Sequence, residues 1–188
     1  KIWCASSTHK NEEKICLEVH KKLKTKYKNL LTIIIPRHVH RTKKILKEIK
    51  KLNLTVHLHE SKESITNETD IYLVNSFGQT QSFFKICKTV FLGGSIIKHG
   101  GQNPLEAAKY GCNILHGPNI WNFDEIYSLL KKHKISNKIN NSKQLFLKVN
   151  EMFNKSNKSN NLEHKFTLLG NKILNSTLRE ANLYIAKK

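Results

Sequence analysis

The sequence predicts an α/β fold built on a doubly wound, Rossmann-like parallel sheet. Short runs of β-branched and other apolar residues alternate with segments in which apolar residues recur every three or four positions. These two periodicities are typical of buried strands and of amphipathic helices. Their alternation indicates a parallel sheet with helices on both faces, and right-handed crossovers would make that sheet doubly wound.

The elements follow from the pattern in chain order. We predict strands at residues 1–6, 30–35, 54–58, 71–74, 89–92 and 113–115. We predict helices at residues 11–27, 43–52, 104–111, 123–132 and 142–153. Pro36 ends the second strand, Gly93 and Gly94 end the fifth, and Gly111 has the position of a glycine that follows a helix C-terminus.

The same pattern divides the chain into a domain and a tail. Residues 1–154 hold the alternating elements, and residues 155–188 are expected to form a polar linker followed by a long C-terminal helix. The chain opens directly on an apolar strand without an initiator methionine. We therefore expect it to be a piece of a longer protein whose N-terminal domain is absent from this chain.

The composition leaves the class of partner open. The formal net charge of +19 is typical of proteins that meet nucleic acid, a membrane surface or a phosphorylated ligand. However, lysine supplies nearly all of the cations, spread over the whole length, and asparagine and isoleucine are also abundant. This bias is typical of an AT-rich genome, so much of the charge is expected to be solvated surface.

Neither a metal site nor a cofactor is indicated. The four cysteines show no Cys-x-x-Cys spacing, so they are interpreted as reduced, buried thiols. Histidines with a spacing of two occur at His38 and His40 and at His57 and His59, without acidic partners arranged around them. No apolar run approaches the roughly 20 residues that span a bilayer, and no signal-peptide pattern is present.

Ligands of parallel α/β sheets bind at the carboxyl ends of the strands, and the loop after the fifth strand is the most informative. It is rich in glycine and leads into a helix, with Asn103 as the N-cap and Pro104 as the first helical residue. Free N–H groups at such a helix start favour phosphate. The plain alternative is a tight connection in which Glu106 only caps the helix. Neither a G-x-G-x-x-G fingerprint nor a Walker loop is present.

Three other strand ends carry candidate ligand contacts. Arg37, followed by His38, suits bidentate phosphate recognition, although a surface arginine is the simpler interpretation. The hydroxyls of the Ser7–Thr8 pair are suited to a phosphate or a sugar acid, or to capping the next helix. Phe77 and Gly78 are suited to packing against a base, although phenylalanine is more often a core residue.

The order of these loops resembles that in the C-terminal domain of the Kdo transferases. These enzymes move 3-deoxy-D-manno-oct-2-ulosonic acid (Kdo) from its CMP conjugate to lipid A precursors. The resemblance covers roughly residues 3–130, and its most specific part is the Gly-Gly-Gln-Asn-Pro-Leu-Glu block. The segments that carry it are Ala5–His9, Pro36–His38, Ser76–Gly78, Gly93–Glu106 and Gly117–Phe123.

The resemblance implies one half of a GT-B fold, the half that binds the donor CMP-Kdo. It implies that Arg37, the Ser95 loop and the N–H groups near Asn103 face phosphate or the sugar carboxylate, and that Glu106 binds the ribose hydroxyls. Phe77 and Gly78 would lie near the nucleotide. The complete set of expected donor-binding residues is Ser7, Thr8, Arg37, His38, Phe77, Gly78, Gly94, Ser95, Gly100, Gly101, Gln102, Asn103 and Glu106.

The rest of the family's machinery is expected outside this chain. The general base implied by the resemblance is a glutamate of the N-terminal half, so we expect no catalytic residue here and an isolated domain that does not turn over. The resemblance also implies an inverting reaction that needs no essential metal. The N-terminal half would hold the lipid A precursor at the cytoplasmic face of the inner membrane, against an anionic surface, and no specific nucleic acid is expected.

Two departures and two alternatives remain. Asn75 stands where the family commonly has an acidic residue, and Gln79 where it commonly has glutamate, so donor affinity is open at those positions. One alternative is half of another GT-B transferase or epimerase that uses a UDP sugar. The other is a basic module that binds nucleic acid or an anionic membrane.

Overall fold

A computed structural model of the protein describes residues 1–155 and 162–185, and its centre is one parallel sheet of seven strands. The spatial order is β3-β4-β2-β1-β5-β6-β7, and every neighbouring pair is parallel. The strands are β1 (Ile2–Thr8), β2 (Leu31–Pro36), β3 (Val56–Leu58), β4 (Ile71–Leu73), β5 (Thr89–Leu92), β6 (Asn113–His116) and β7 (Ser136–Lys138).

Helices cover both faces of the sheet, which confirms the predicted fold class. The helices are α1 (Glu12–Lys24), α2 (Thr42–Lys51), α3 (Thr80–Ile86), α4 (Leu105–Lys109), α5 (Asp124–Lys132), α6 (Ser142–Asn154) and α7 (Leu162–Ile185). Apolar residues of α1, α2 and α6 pack on one face, and those of α3, α4 and α5 pack on the other.

The central strand β1 shows why its sequence is apolar without alternation. Successive side chains of a strand point to opposite faces, and both faces of this sheet are covered. Trp3 and Ala5 pack with α1 and α6, whereas Cys4 packs with the helices of the other face, and all three side chains are fully buried. Burial on both sides therefore requires a continuous apolar run.

Among the strands and α-helices, one strand and one helix were not predicted from the sequence. The seventh strand, Ser136–Lys138, is short and polar, and it is anchored by the buried residues Ile135 and Ile139 on either side. Helix α3, Thr80–Ile86, spans seven residues and buries only Phe83 and Phe84. Both elements are too short to show a periodicity in the sequence.

Most predicted boundaries differ from those in the structure by one to three residues. Helix α1 ends at Lys24 rather than at Tyr27, because the N–H groups of Lys26 and Tyr27 both turn back to the carbonyl of Leu23. Helix α4 begins at Leu105, one residue after Pro104. Its C-terminal glycine is as predicted: Gly111 has φ +68° and donates to Ala108, in a Schellman arrangement.

The sheet has its topological switch point between β1 and β5. From β1, the chain builds β2, β4 and β3 on one side and β5, β6 and β7 on the other, so the connecting loops diverge at the carboxyl ends of β1 and β5. A register shift at the end of β1 puts Ser7 at φ +54°, and Asn11 before α1 has φ +79°. Asparagine tolerates this left-handed conformation better than most side chains do.

The C-terminal helix α7 contacts α4, and Phe166 packs against the core from it. The stripe expected on this helix also included Leu178, which is 50% exposed. The predicted linker, residues 156–161, lies outside the described residues, as do the side chains of Leu162, Leu169 and Ile173. The division of the chain near residue 155 therefore stays a prediction. Over the described parts, none of the helices has both the length and the apolarity that crossing a bilayer requires.

Candidate ligand-binding site

The glycine-rich loop after β5 is organised by a buried carboxylate. Glu12, at the start of α1, is fully buried and accepts four backbone N–H groups. Its Oε2 accepts from His9 at 3.0 Å and from Gly94 at 2.7 Å, and its Oε1 accepts from Ser95 at 3.1 Å and from Ile96 at 3.0 Å. The first amides of the loop are therefore already bound to an anion, one that the protein itself supplies.

Ser95 ties the same loop to the end of β6. Its hydroxyl donates to the carbonyl of Leu92 at 2.5 Å and accepts the N–H of Gly117 at 2.8 Å, and the side chain is fully buried. Only glycine fits at position 93, between this loop and the end of β1, because a Cβ there would lie 2.7 Å from Thr8 Cα. Ser95 therefore holds the loop in shape from inside.

A second buried carboxylate joins β1 to the loop after β2. Glu13 accepts the hydroxyl proton of Thr8 at 3.0 Å and binds Arg41 through two parallel hydrogen bonds of 2.6 and 3.0 Å. Arg41 thus supports the fold, and the backbone N–H of Arg37 donates to the Thr8 carbonyl at 2.9 Å. The side chains of Arg37 and His38 remain exposed beside this network.

Imidazole rings gather where β1, β2 and β5 end. The ring centroid of His9 lies 4.1 Å from that of His99 and 5.6 Å from that of His38. His9 is buried, while His38 and His99 are exposed. Gly94, with φ +65°, lies beneath them: a Cβ there would come within 3.1 Å of the His99 ring and 3.3 Å of the His9 ring.

The pKa of His9 is lowered to about 4. Burial is the main cause, because it penalises the charged form, and repulsion from His99, His38, Arg41 and Arg37 adds to it. The imidazole is therefore neutral near pH 7. Its Nε2 is buried without a hydrogen-bond partner among the described residues.

The later part of the loop leads to an open groove. Asn103 and Glu106 line a groove of about 340 Å³ together with Gln81, Tyr110 and Phe166. Asn103 Oδ1 accepts the N–H of Leu105 at 3.0 Å, but the N-cap position belongs to Pro104 and not, as predicted, to Asn103. Within the described residues the carboxylate of Glu106 makes no hydrogen bond, so it does not cap the helix in return and is free to meet a ligand.

Residues after β6 hold the middle of the loop. The Asn122 N–H donates to the Gly100 carbonyl at 3.2 Å, and Asn119 Nδ2 donates to the Ile96 carbonyl at 2.9 Å. Gly100, with φ +96°, has no room for a side chain, since a Cβ would lie 2.9 Å from Trp121 Nε1. Trp121 itself is 57% exposed at this edge.

The loop after β4 stands apart from these contacts. Phe77 is 75% exposed, so it is not the core residue that composition favours. Gly78, with φ +79°, borders open space. Asn75 accepts the Glu60 N–H at 3.1 Å and approaches the Glu60 carboxylate through Nδ2 at 3.4 Å. An acidic residue at position 75 would face Glu60 as a like charge, so the amide suits this chain.

The described residues contain no group of His, Cys, Asp or Glu arranged to hold a metal ion. The cysteines are free and buried. Burial raises the pKa of the Cys4, Cys16 and Cys112 thiols, to about 12 for Cys112, so these side chains stay protonated.

These features define a class of protein: a Rossmann-like domain whose polar loops converge at the carboxyl edge of the sheet, at its switch point. Two curated relatives identify the family. The chain is 36% identical over 129 residues to the 3-deoxy-D-manno-octulosonic acid transferase of Haemophilus influenzae, covering 69% of this chain and 30% of that protein. It is 32% identical over 152 residues to the transferase of Rickettsia felis, covering 81% of this chain and 32% of that one.

The fold is similar to the C-terminal CMP-Kdo binding domain of WaaA from Acinetobacter baumannii. The TM-score is 0.79 at 24% identity, with 89% of each chain covered. This chain belongs to the Kdo transferase family and has the fold of that C-terminal domain. It spans about 30% of the length of the curated relatives. No protein-family model matches it.

Sequence reasoning named the loops but missed the groups that organise them. It did not assign roles to Glu12, Glu13, Arg41 or His99, and it set His9 beside the Ser7–Thr8 pair without a function. One pattern pointed to the carboxylates: two adjacent glutamates open a helix directly after a strand-end loop. The loop amides that Glu12 binds, those of Gly94 and Ser95, lie more than 80 residues away in the sequence. Sequence periodicity does not reveal contacts over such a separation.

Proposed function

We propose that this chain is the donor-binding half of an enzyme that transfers Kdo from CMP-Kdo to a lipid A precursor. One observation carries the proposal. Around the switch point the scaffold groups are satisfied internally by Glu12, Glu13 and Ser95, whereas Arg37 and Glu106 make no side-chain hydrogen bond within the described residues. Unpaired groups of opposite charge at this edge suit a ligand with both an anionic diester and hydroxyl donors.

The roles divide between contact and support. Arg37 and His38 would meet the phosphate, together with the N–H groups of Gly100, Gln102 and Asn103. The N–H of Gly101 already donates to the Gly94 carbonyl at 2.8 Å and is not available to a ligand. Glu106 would accept hydrogen bonds from the ribose hydroxyls in the groove beside α4. Phe77, exposed next to Gly78, would pack against the base.

Four of the expected site residues would act by shaping the edge. The amides of Gly94 and Ser95 are held by Glu12, and Thr8 donates its hydroxyl to Glu13. Ser7 occupies the bulge that turns the chain at the end of β1. These residues would place the contacting groups, and the phosphate itself would be bound by Arg37, His38 and the later part of the loop.

The acceptor and the membrane belong to the same proposal. The lipid A precursor would bind in a second half that also supplies the general base. The enzyme would work at the cytoplasmic face of the inner membrane, where the basic surface of this domain would face anionic headgroups. The positive charge of the chain and the chemistry of the acceptor support this placement.

Nucleotide titration tests the donor assignment. We expect CMP to perturb backbone NMR signals from Gly94 to Glu106 and to bind more tightly than UMP. Glu106→Gln removes the charged acceptor and should weaken CMP binding roughly tenfold, which corresponds to about 1.4 kcal/mol. Glu48→Gln, on α2, is the matched control and should leave the affinity unchanged.

Three outcomes would count against the proposal. If millimolar CMP caused no NMR shifts in this loop, the loop would not be the donor site. A preference for UMP would favour a UDP-sugar enzyme. Equal effects of the Glu106 and Glu48 substitutions would remove Glu106 from the site.

A further inference from the structure

The feature that the proposed function leaves unexplained is the buried Nε2 of His9. It has no hydrogen-bond partner among the described residues, and the side chain is only 7% exposed. Buried polar atoms are nearly always paired, since leaving one unpaired costs about 1–3 kcal/mol. A partner that arrives with a ligand would account for this cost.

The surroundings of His9 indicate which ligand chemistry would supply that partner. The rings of His38 and His99 flank it at 5.6 and 4.1 Å between centroids, and Arg37 and Arg41 are close enough to repel a charge on it. Arg41 is neutralised by its two hydrogen bonds to Glu13, whereas Arg37 is exposed. The nearest carboxylate, Glu12, is saturated by backbone N–H groups, including that of His9. The cluster therefore attracts an anion.

We propose that His9 is a donor-binding residue whose Nε2 hydrogen-bonds the phosphate of the bound nucleotide. This inference rests on the proposed function, because it assigns a further contact within the same site. The exposed ring of His99 covers His9 in the free protein and moves aside when the phosphate enters. A Cβ at Gly94 would come within 3.1 Å of the His99 ring and 3.3 Å of the His9 ring, so glycine at this position leaves room for both rings.

The proposal predicts that nucleotide affinity depends on pH. In the free protein burial lowers the pKa of His9 to about 4, and repulsion from the neighbouring histidine and arginine side chains adds to the effect. A phosphate at Nε2 favours the charged ring and raises that pKa. Between the two pKa values the complex binds a proton that the free protein lacks, so nucleotide affinity increases as the pH falls through this range.

The main experiment follows His9 by NMR in the wild-type protein. We expect the pKa read from its ring proton shifts to rise by at least about one pH unit when CMP saturates the site. Cytidine, which lacks the phosphate, should leave that pKa in place. Bound CMP with an unshifted His9 would overturn the inference and leave the proposed function intact, whereas failure of CMP to bind would overturn both.

A variant gives an independent readout. His9→Gln keeps a hydrogen-bond donor but cannot take up a proton. Its CMP affinity, relative to wild type, should fall further as the pH is lowered from about 8 to about 5, because only the wild-type complex takes up a proton at this ring. Calorimetry in buffers of different ionisation enthalpy should show reduced proton uptake. The control His133→Gln, exposed at the end of α5, should match wild type, and an equal loss at both pH values for His9→Gln would show a merely structural role.

Discussion

Glu12 shows how one residue can settle the conformation of a loop far along the chain. A glycine-rich segment after a strand is conformationally free, and folding it costs backbone entropy. The carboxylate of Glu12 binds the consecutive N–H groups of Gly94, Ser95 and Ile96, as an external anion would in a backbone nest. The loop is therefore ordered before any ligand arrives.

We expect Glu12→Gln to lower the free energy of unfolding by about 2–4 kcal/mol. The amide would present an NH₂ group to N–H donors and lose charge-assisted hydrogen bonds in a buried place. Urea unfolding measures the effect, and amide hydrogen exchange at Gly94–Ile96 should become faster. Glu18→Gln, on the same helix and half-buried, should stay within about 0.5 kcal/mol of wild type. Equal stability of the two variants would show that Glu12 does not organise the loop.

At the residue scale, the sequence named exposed strand-end residues as candidates but not the buried residues that hold the loops in place. Arg37, Asn103 and Glu106 stand out because their residue types and strand-end positions imply chemistry. Glu12 and His9 do not, because their importance lies in contacts with residues distant in sequence and in burial. Such roles depend on the tertiary fold, which local spacing does not encode.

At the scale of elements, the six predicted strands are all present because each is long enough, or apolar enough, to carry a pattern. The run from Leu30 to Ile35 and the segment Thr89–Leu92 are examples, the second matching at both ends. The strand Ser136–Lys138 was not predicted, because it is stabilised by pairing with β6 and not by its own side chains. Helix α3 was not predicted because its seven residues are too few to show a helical periodicity.

The contact between β6 and the loop after β5 depends on a glycine. A Cβ at Gly117 would overlap the backbone of Ser95 and Ile96. We expect Gly117→Ala to destabilise the protein by about 3 kcal/mol, since the backbone has to move. Thermal or urea unfolding measures this change, and CMP binding should weaken with it.

Gly170, in the exposed part of α7, is the matched control for Gly117. A Cβ there meets nothing within 4 Å, so Gly170→Ala should be neutral or stabilising by up to about 1 kcal/mol, as expected for a helical glycine. If Gly117→Ala unfolded at the same urea concentration as Gly170→Ala, the close approach between the two loops would not be required for the fold.

At the scale of the whole molecule, the positive charge is not evenly distributed. Helix α2 exposes Lys43, Lys44, Lys47, Lys50 and Lys51, and α1 beside it exposes Lys14, Lys21 and Lys22. The opposite layer includes acidic residues at the start of α5. The basic layer exposes lysine rather than arginine or aromatic side chains, which suits a diffuse plane of headgroups more than a nucleic-acid groove.

We expect the protein to sediment with phosphatidylcholine vesicles only when these also contain phosphatidylglycerol. Replacing Lys47, Lys50 and Lys51 by glutamate should reduce binding at least tenfold, since each lysine near an anionic surface contributes about 1 kcal/mol. The same change at Lys109, Lys131 and Lys132, on the opposite layer, should have a smaller effect. Equal losses would show that only net charge matters, and tight binding to duplex DNA at about 150 mM salt instead would favour a nucleic-acid partner.

The two tryptophans occupy opposite environments: Trp3 is fully buried in the central strand, whereas Trp121 is 57% exposed against Gly100. The fluorescence emission of the two side chains should therefore differ in wavelength: Trp3 should emit further to the blue, and Trp121, at the carboxyl edge of the sheet, further to the red. An aqueous quencher such as iodide would reach only the red component. In the wild-type chain, the emission of Trp121 therefore reports whether this edge is open or covered. The buried Trp3 serves as the reference, because ligands cannot contact it.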